Sequence, residues 1–240
     1  MKTSGWGRTD VGLKREINQD TILVDNSLGL YIVADGMGGH KGGEVASAIA
    51  VSTAKEIVSE GLHKNLSPRD LLIKAYREAS ERIHYKSTVE NPQLAGMGTT
   101  MVLGLVVGTD IYIGNVGDSR CYLYKNQHIW QMTEDHSLVN EQLRAGVISE
   151  DEVDMMVGKN VITRSVGYEK DVRVDIFQKK IETGEKVLLC SDGLSGLVSD
   201  AIIEDICRKR SGQNCVDECI EKANEAGGDD NISVILIQSE

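Results

Sequence analysis

Short apolar, β-branched runs in this 240-residue chain break off repeatedly at a glycine beside an aspartate. Asp35 stands so in VADGMGGH, Asp118 in GNVGDSR and Asp192 in LLCSDGL, while Asp230 in GGDDNIS directly precedes a further apolar run. The chain contains 25 Gly but only 2 Pro, so glycine sets its punctuation. Such a sequence is committed to short strands whose ends lie in tight turns, where backbone can approach closely.

The runs Thr21–Val24 and Leu30–Ala34 read as strands joined by a hairpin across Asp25–Gly29. From Glu44 to Val58, residues including Val45, Ile49, Val51, Ala54 and Val58 form a broad helical stripe that ends near Gly61. A second helix opens with Ser67 as N-cap, Pro68 at N1 and Asp70 at N3, and gathers Leu72, Ala75, Tyr76, Ala79 and Ile83 on one face. Between Thr99 and Trp130 the apolar segments predict an antiparallel meander, with connections at Gly108–Asp110, Gly117–Asp118 and Lys125–Gln127. Residues 133–170 are polar and weakly helical, and are expected to form a mobile subdomain over one end of the sheet. Strands at Val172–Phe177 and Lys186–Ser191, helices at Asp200–Arg208 and Cys215–Ala226, and a strand at Ile232–Ile237 complete the pattern. Strands followed by helices, twice over, predict an α+β layered fold in one domain.

Lys and Arg total 26 against 37 Asp and Glu, a net charge of −11, which disfavours nucleic acid and anionic membrane as partners. The opening MKTSGWGRTD has no apolar signal core, and the longest apolar stretch, Met101–Val107, is far below the ~18 residues of a membrane span. The five cysteines, at 121, 190, 207, 215 and 219, are odd in number and include no C-x-x-C pair, against both a disulfide framework and a structural zinc site. A soluble, unprocessed chain in a reducing cytoplasm is expected. Cys215 and Cys219, spaced with Val216, Ile220 and Ala223, read as core thiols.

Any single aspartate in a Gly turn is explained well enough as a turn cap. Four in one chain favour a site. Were the strand ends to converge, the carboxylates would repel one another, and hard divalent cations would relieve them. With no His or Cys cluster, Mg²⁺ or Mn²⁺ is indicated, and two such ions about 3.5–4 Å apart suit hydrolysis of a phosphoester. Arg15 in KREINQD has the fork for two phosphate oxygens, or is a surface charge. His40 can protonate a leaving oxygen, or is a solvated loop residue. Asn18 and Asp20 are candidates to orient water. The glycine run fails the dinucleotide pattern, with Lys41 in place of its third Gly, and fails the P-loop, with Gly42 after Lys41.

The ordered elements R15-x-x-N18-x-D20, D35-G-M-G-G-H40, G98-T-T100, G117-D-S-R120, T133-x-D-H-S137, T163-R164, S191-D-G-L194 and G227-G-x-D-N231 resemble the metal-dependent protein Ser/Thr phosphatases of type 2C, in their compact bacterial form. The resemblance implies a four-layer α-β-β-α sandwich of two antiparallel sheets flanked by helices. It implies that Asp35 bridges two metals, that the Gly36 carbonyl binds the first, and that Asp192 and Asp230 complete the second. Asp118 would hold a weaker third ion with Asp192. Arg15 would bind the substrate phosphate, Asp20 would contribute to catalysis, and residues 136–168 would form the family's variable flap. The chain departs from many eukaryotic members in having Met37 two positions after the first metal aspartate, which leaves His40 as the bacterial-type candidate for the general acid. It also has Gln19 where an acidic residue often precedes Asp20, and Asp229 receives no role.

The expected function is therefore hydrolysis of phosphoserine and phosphothreonine in proteins by attack of a metal-bridging hydroxide. The enzyme would be a cytoplasmic, monomeric phosphatase opposing a Ser/Thr kinase. The alternatives are a phosphoprotein-binding pseudophosphatase, which should have lost a metal aspartate or Arg15, and a same-fold phosphatase of a stress partner-switching pathway.

Overall fold

The structure is a computed structural model that describes residues 3–149, 152 and 161–239, with only the backbone at 39–41. Its strands are β1 (Thr3–Asp10), β2 (Asp20–Asp25), β3 (Leu30–Met37), β4 (Gly98–Thr99), β5 (Met101–Val107), β6 (Asp110–Val116), β7 (Arg120–Lys125), β8 (His128–Gln131), β9 (Asp175–Lys180), β10 (Lys186–Cys190) and β11 (Ile232–Ser239). One antiparallel sheet has the order β1-β11-β10-β7-β8; the other is β2-β3-β5-β6-β9, with β4 paired to β3. Helices α1 (Gly39–His63) and α2 (Pro68–Tyr85) accompany the second sheet, and α4 (Asp192–Ser195), α5 (Asp200–Lys209) and α6 (Gln213–Glu225) the first. A short α3 (Leu138–Arg144) stands apart.

Period-2 alternation builds the layers. On β3, Leu30, Ile32 and Ala34 face α1 and α2, while Tyr31 and Val33 face the other sheet. On β11, Ile232, Val234 and Leu236 pack against α5 and α6, while Ile235 and Ile237 meet Tyr31 and Val33 between the sheets. Because each central strand is covered on both faces, it reads as an unbroken apolar run rather than as alternation. Three apolar clusters result, two between helices and sheet and one between the sheets, which is the four-layer sandwich.

The meander expected over 99–130 does not form. Hairpins do join β5 to β6 and β7 to β8, the latter through Asn126 and Gln127 at positive φ. β6 and β7, however, belong to different sheets, so Gly117–Ser119 is a crossing between layers. A three-residue hairpin and a three-residue crossing demand the same glycine at positive φ, so spacing alone does not separate them. β1 has no counterpart in the expected elements because Gly5 and Gly7 interrupt its pattern; a Cβ on Gly5 would lie 2.1 Å from the ring of Tyr31, which fills that space. The strand expected at Val172 begins at Asp175, and α1 begins at Gly39 rather than Glu44. Ser67 does sit at the N-cap of α2, but its side chain makes no cap hydrogen bond.

Within the expected flap, Ser137 caps α3 through a hydrogen bond from the Asn140 amide (3.3 Å) to its Oγ, and bridges pair Ser137 with Ile162 and Val166 with Thr99. Residues 150–151 and 153–160 of that segment lie outside the described residues. All five cysteines are buried and free, as expected of core thiols. No helix among the described residues is long and apolar enough to cross a membrane.

Gly5→Ala should force a methyl into the Tyr31 ring and lower stability by roughly 1–3 kcal/mol, the usual cost of overpacking. Equilibrium urea unfolding checks this; unchanged stability would show that the ring yields freely.

Candidate active site

The expected residues converge where strand ends of both sheets meet. Asp20 opens β2 directly across from Asp35 on β3. Asp118 lies in the crossing from β6 to β7, Asp192 begins α4 at the end of β10, and Asp230 immediately precedes β11. Arg15, Asp35, Gly36, Asp118, Asp192 and Asp230 line one open cleft of about 690 Å³, together with Met37, Thr100 and Ile162. Asp20 is buried beneath it.

Local hydrogen bonds fix each carboxylate. The amide of Asp35 donates to Thr100 Oγ1 (3.0 Å), and that hydroxyl also contacts Ser119 Oγ (2.7 Å), linking the Asp35 turn to the Asp118 crossing. The carbonyl of Asp35 accepts from the Thr100 amide and Thr99 Oγ1, each at 2.8 Å. Gly36 and Gly43 approach so closely that a Cβ on Gly36 would sit 2.1 Å from the Gly43 carbonyl oxygen. Here glycine is required by contact. At Gly117, by contrast, φ is +105°, a conformation that side chains oppose, and a Cβ would also strike Thr100. Ser191 Oγ donates to Asp20 Oδ2 (2.9 Å) and receives the Ser233 amide (3.0 Å). Arg15 Nη2 donates to Asp230 Oδ2 at 2.7 Å.

Behind Asp118, Arg120 grips Asp135 through both oxygens and donates to Tyr122 OH. His136 Nδ1 accepts the Gly117 amide (3.0 Å), so its proton resides on Nε2, which faces Asp175 Oδ2 at 3.1 Å. Burial holds this imidazole below its ordinary pKa.

Crowding of buried carboxylates dominates the electrostatics. Burial, reinforced by the charges of Asp192 and Asp230, pushes Asp20 up to about 7. Burial and the Asp192 charge push Asp118 to about 7 as well. Asp35 rises well above the carboxylate range through burial and the charges of Asp20, Asp192 and Asp118, and Asp192 rises through burial and Asp230. Oδ1 of Asp20 and Oδ1 of Asp192 are buried with no hydrogen-bond partner among the described residues. Hard oxygen donors, excess negative charge and buried oxygens lacking partners together fit divalent cations of the Mg²⁺ or Mn²⁺ type.

Of the residues expected from the sequence, seven are thus brought together: Arg15, Asp20, Asp35, Gly36, Asp118, Asp192 and Asp230. The side chain of His40 lies outside the described residues. Asn18 turns away from water orientation: its Nδ2 donates to Thr9 Oγ1 and its Oδ1 accepts the Asp20 amide. Asp229, itself not part of the cleft lining, pairs at 2.5 Å with Lys14, which is. Thr100, Ser191, Ser119 and Asn231 were visible only as motif letters, since nothing in their spacing tells which carboxylate a hydroxyl or amide will hold.

An acidic cleft fronted by an arginine, at the sheet ends of such a sandwich, suits hydrolysis of a phosphate ester. Residues 13–236 match the family model described as protein phosphatase 2C. The chain is 42% identical to the serine/threonine phosphatase Stp of Listeria welshimeri over 238 residues, covering 96% of this chain and 94% of that protein. Among solved structures it superposes on the Streptococcus agalactiae serine/threonine phosphatase with TM-score 0.90 and 33% identity, covering 99% and 100% of the two chains. It also superposes on the catalytic domain of the phosphatase PstP, solved with two manganese ions, with TM-score 0.87 and 30% identity over 98% and 97%. The chain belongs to the protein phosphatase 2C family and is a serine/threonine phosphatase of the bacterial type.

Raised carboxyl pKa values make the metal-free folded state bind protons that the unfolded chain, titrating near 3.8, releases. Their stabilising effect is full below pH 3.8 and is lost as pH rises through about 7. Metal-free protein should therefore melt several degrees higher at pH 5.5 than at pH 8, and Asp35→Asn should flatten that slope. Calorimetric melting in chelator checks both; a steeper slope in the variant would contradict the repulsion.

Proposed function

We propose that this phosphatase hydrolyses phosphoserine and phosphothreonine in proteins, using Mn²⁺ or Mg²⁺ held by its carboxylate cluster. One observation carries the reading: Asp35, Asp118, Asp192 and Asp230 meet in one cleft with Arg15, and a buried oxygen of Asp192 has no partner among the described residues. Asp35, the Gly36 carbonyl, Asp192 and Asp230 would hold two cations, and Asp118 with Asp192 a weaker third. When bound, such cations supply Lewis acidity, generating a nucleophile from water at neutral pH and offsetting phosphoryl charge.

The chain's own residues do the rest. Arg15 presents a half-exposed guanidinium at the cleft and can exchange its Asp230 oxygen for phosphate oxygens, a bidentate match that orients the phosphoryl group. Asp20, held by Ser191 Oγ, would help to orient the reacting water. His40 remains the candidate proton donor to the leaving seryl or threonyl oxygen. Residues 136–168 would form a flap on a single catalytic domain; of the described residues in this segment, Ile162 lines the cleft.

A pseudophosphatase would have lost a carboxylate or Arg15, and all are in place. The substrates are phosphorylated proteins of a Ser/Thr kinase, and the enzyme works as a monomer in the cytoplasm. Its net charge of −11 keeps it from nucleic acid and anionic membranes.

Phosphate release from a phosphothreonine peptide should vanish in chelator and return with Mn²⁺; turnover in chelator would overturn the metal reading. Asp118→Ala should retain two tightly bound Mn²⁺ by calorimetry, lose a weaker third, and fall at least about tenfold in kcat, a barrier increase near 1.4 kcal/mol. Loss of all metal would place Asp118 in the core pair instead.

A further inference from the structure

We infer that Asn231 is a positioning residue that sets phosphate affinity by fixing the loop carrying Arg15, an inference that rests on the phosphate-binding reading of Arg15. Between β1 and β2, residues 11–19 form neither helix nor strand, so their backbone groups must find partners elsewhere. Asn231 supplies three. Its Oδ1 accepts the Gln19 amide at 2.8 Å, and its Nδ2 donates to the carbonyls of Val11 (2.9 Å) and Ile17 (3.0 Å). One side-chain amide thus spends both donors and an acceptor on the loop, at its two ends and two residues after Arg15. The side chain is buried, so these bonds have little competition from water.

Arg15 itself has little to hold it. Its side chain is 52% exposed and, among the described residues, it pairs with Asp230, a contact that phosphate must replace. The neighbouring Lys14–Asp229 pair is exposed on both sides and contributes little. The placement of the guanidinium therefore comes from the backbone beneath it. Besides Asn231, that backbone is held by the Gly228 carbonyl, which accepts the Leu13 (2.8 Å) and Lys14 (3.2 Å) amides. A loop fixed before substrate arrives loses less freedom on binding, so the effect belongs in affinity rather than in the chemical step. Asn231 also adjoins Asp230, whose Oδ1 accepts the Asn231 backbone amide (2.8 Å) while Oδ2 takes Arg15. That backbone bond survives any substitution of the side chain, so truncation separates the loop's anchorage from the orientation of Asp230.

The test compares Asn231→Ala, Arg15→Ala and the double variant of the full chain, in saturating Mn²⁺, with p-nitrophenyl phosphate as substrate and inorganic phosphate as competitive inhibitor. Losing these hydrogen bonds should raise both KM and the phosphate Ki roughly five- to tenfold with kcat within about twofold. In the Arg15→Ala background the same substitution should change KM by less than about twofold, since coupled residues do not add. Without metal or substrate, hydrogen exchange should quicken at the amides of Leu13, Lys14 and Gln19 while β3 and β11 keep their protection. An unchanged KM, a loss confined to kcat, or an equal KM rise with and without Arg15 overturns the inference. Arg15→Ala with unaltered KM overturns the phosphate-binding reading itself, and this inference with it. Should the alanine variant fail to fold by circular dichroism, Asn231→Ser replaces it: a partial KM rise of the same Arg15-dependent kind supports the inference, and none overturns it.

Discussion

The constraint on which this structure turns is the mutual repulsion of carboxylates held out of water. Asp20, Asp35, Asp118 and Asp192 all have their carboxyls raised by burial and by one another, and no packing preference would gather them unaided. The sandwich supplies the counterforce. Three apolar clusters fasten the two sheets and their helices together, so the strand ends that carry the aspartates have nowhere else to go. Stability is spent on the layers and functional strain is stored at their edge, a division common at active sites.

Neither sheet could make the site alone. Asp20 and Asp35 come from β2 and β3 in one sheet, while Asp192 and Asp230 flank β10 and β11 in the other. Asp118 belongs to the strand crossing that joins them, and Thr100 and Ser119 tie that crossing back to Asp35 by hydroxyl contact. The distance between the carboxylates is thus set by the distance between sheets. A shift of one layer against the other would alter every pair at once, which couples the integrity of the inter-sheet cluster around Tyr31, Val33, Ile235 and Ile237 to the chemistry.

Much of this was legible in the amino acids. The runs at Leu30–Ala34 and Ile232–Ile237 announce buried strands, the stripes on α1 and α2 announce their packing faces, and the recurring Gly–Asp turns mark the carboxylates that converge in the cleft. What escaped did so for identifiable reasons. β1 is broken by glycine because Tyr31 fills the space beside Gly5, and Val24 and Ile235 that beside Gly7, so its pattern is recorded in partners elsewhere, Tyr31 lying 26 residues from Gly5. The crossing at Gly117 looks like a hairpin because both need the same left-handed glycine. Asn231 sits beside a recognised aspartate, yet its three loop partners lie more than 200 positions earlier, and no local spacing encodes such a contact.

The pairing of β1 with β11 has a consequence for how the molecule comes into being. The order β1-β11-β10 places the last strand between the first strand and the rest of its sheet, with Thr3 opposite Ser239 and Asp10 opposite Ile232. Until Ile232–Ser239 is in place, β1 lacks its strand partner among the described residues, though Asn26 bonds Gly5, and the carboxylate preceding β11 has no fixed position. Closing so long a chain segment is slow compared with local hairpins. Assembly of the centre therefore waits on a contact between segments more than 220 positions apart, Thr3–Asp10 and Ile232–Ser239.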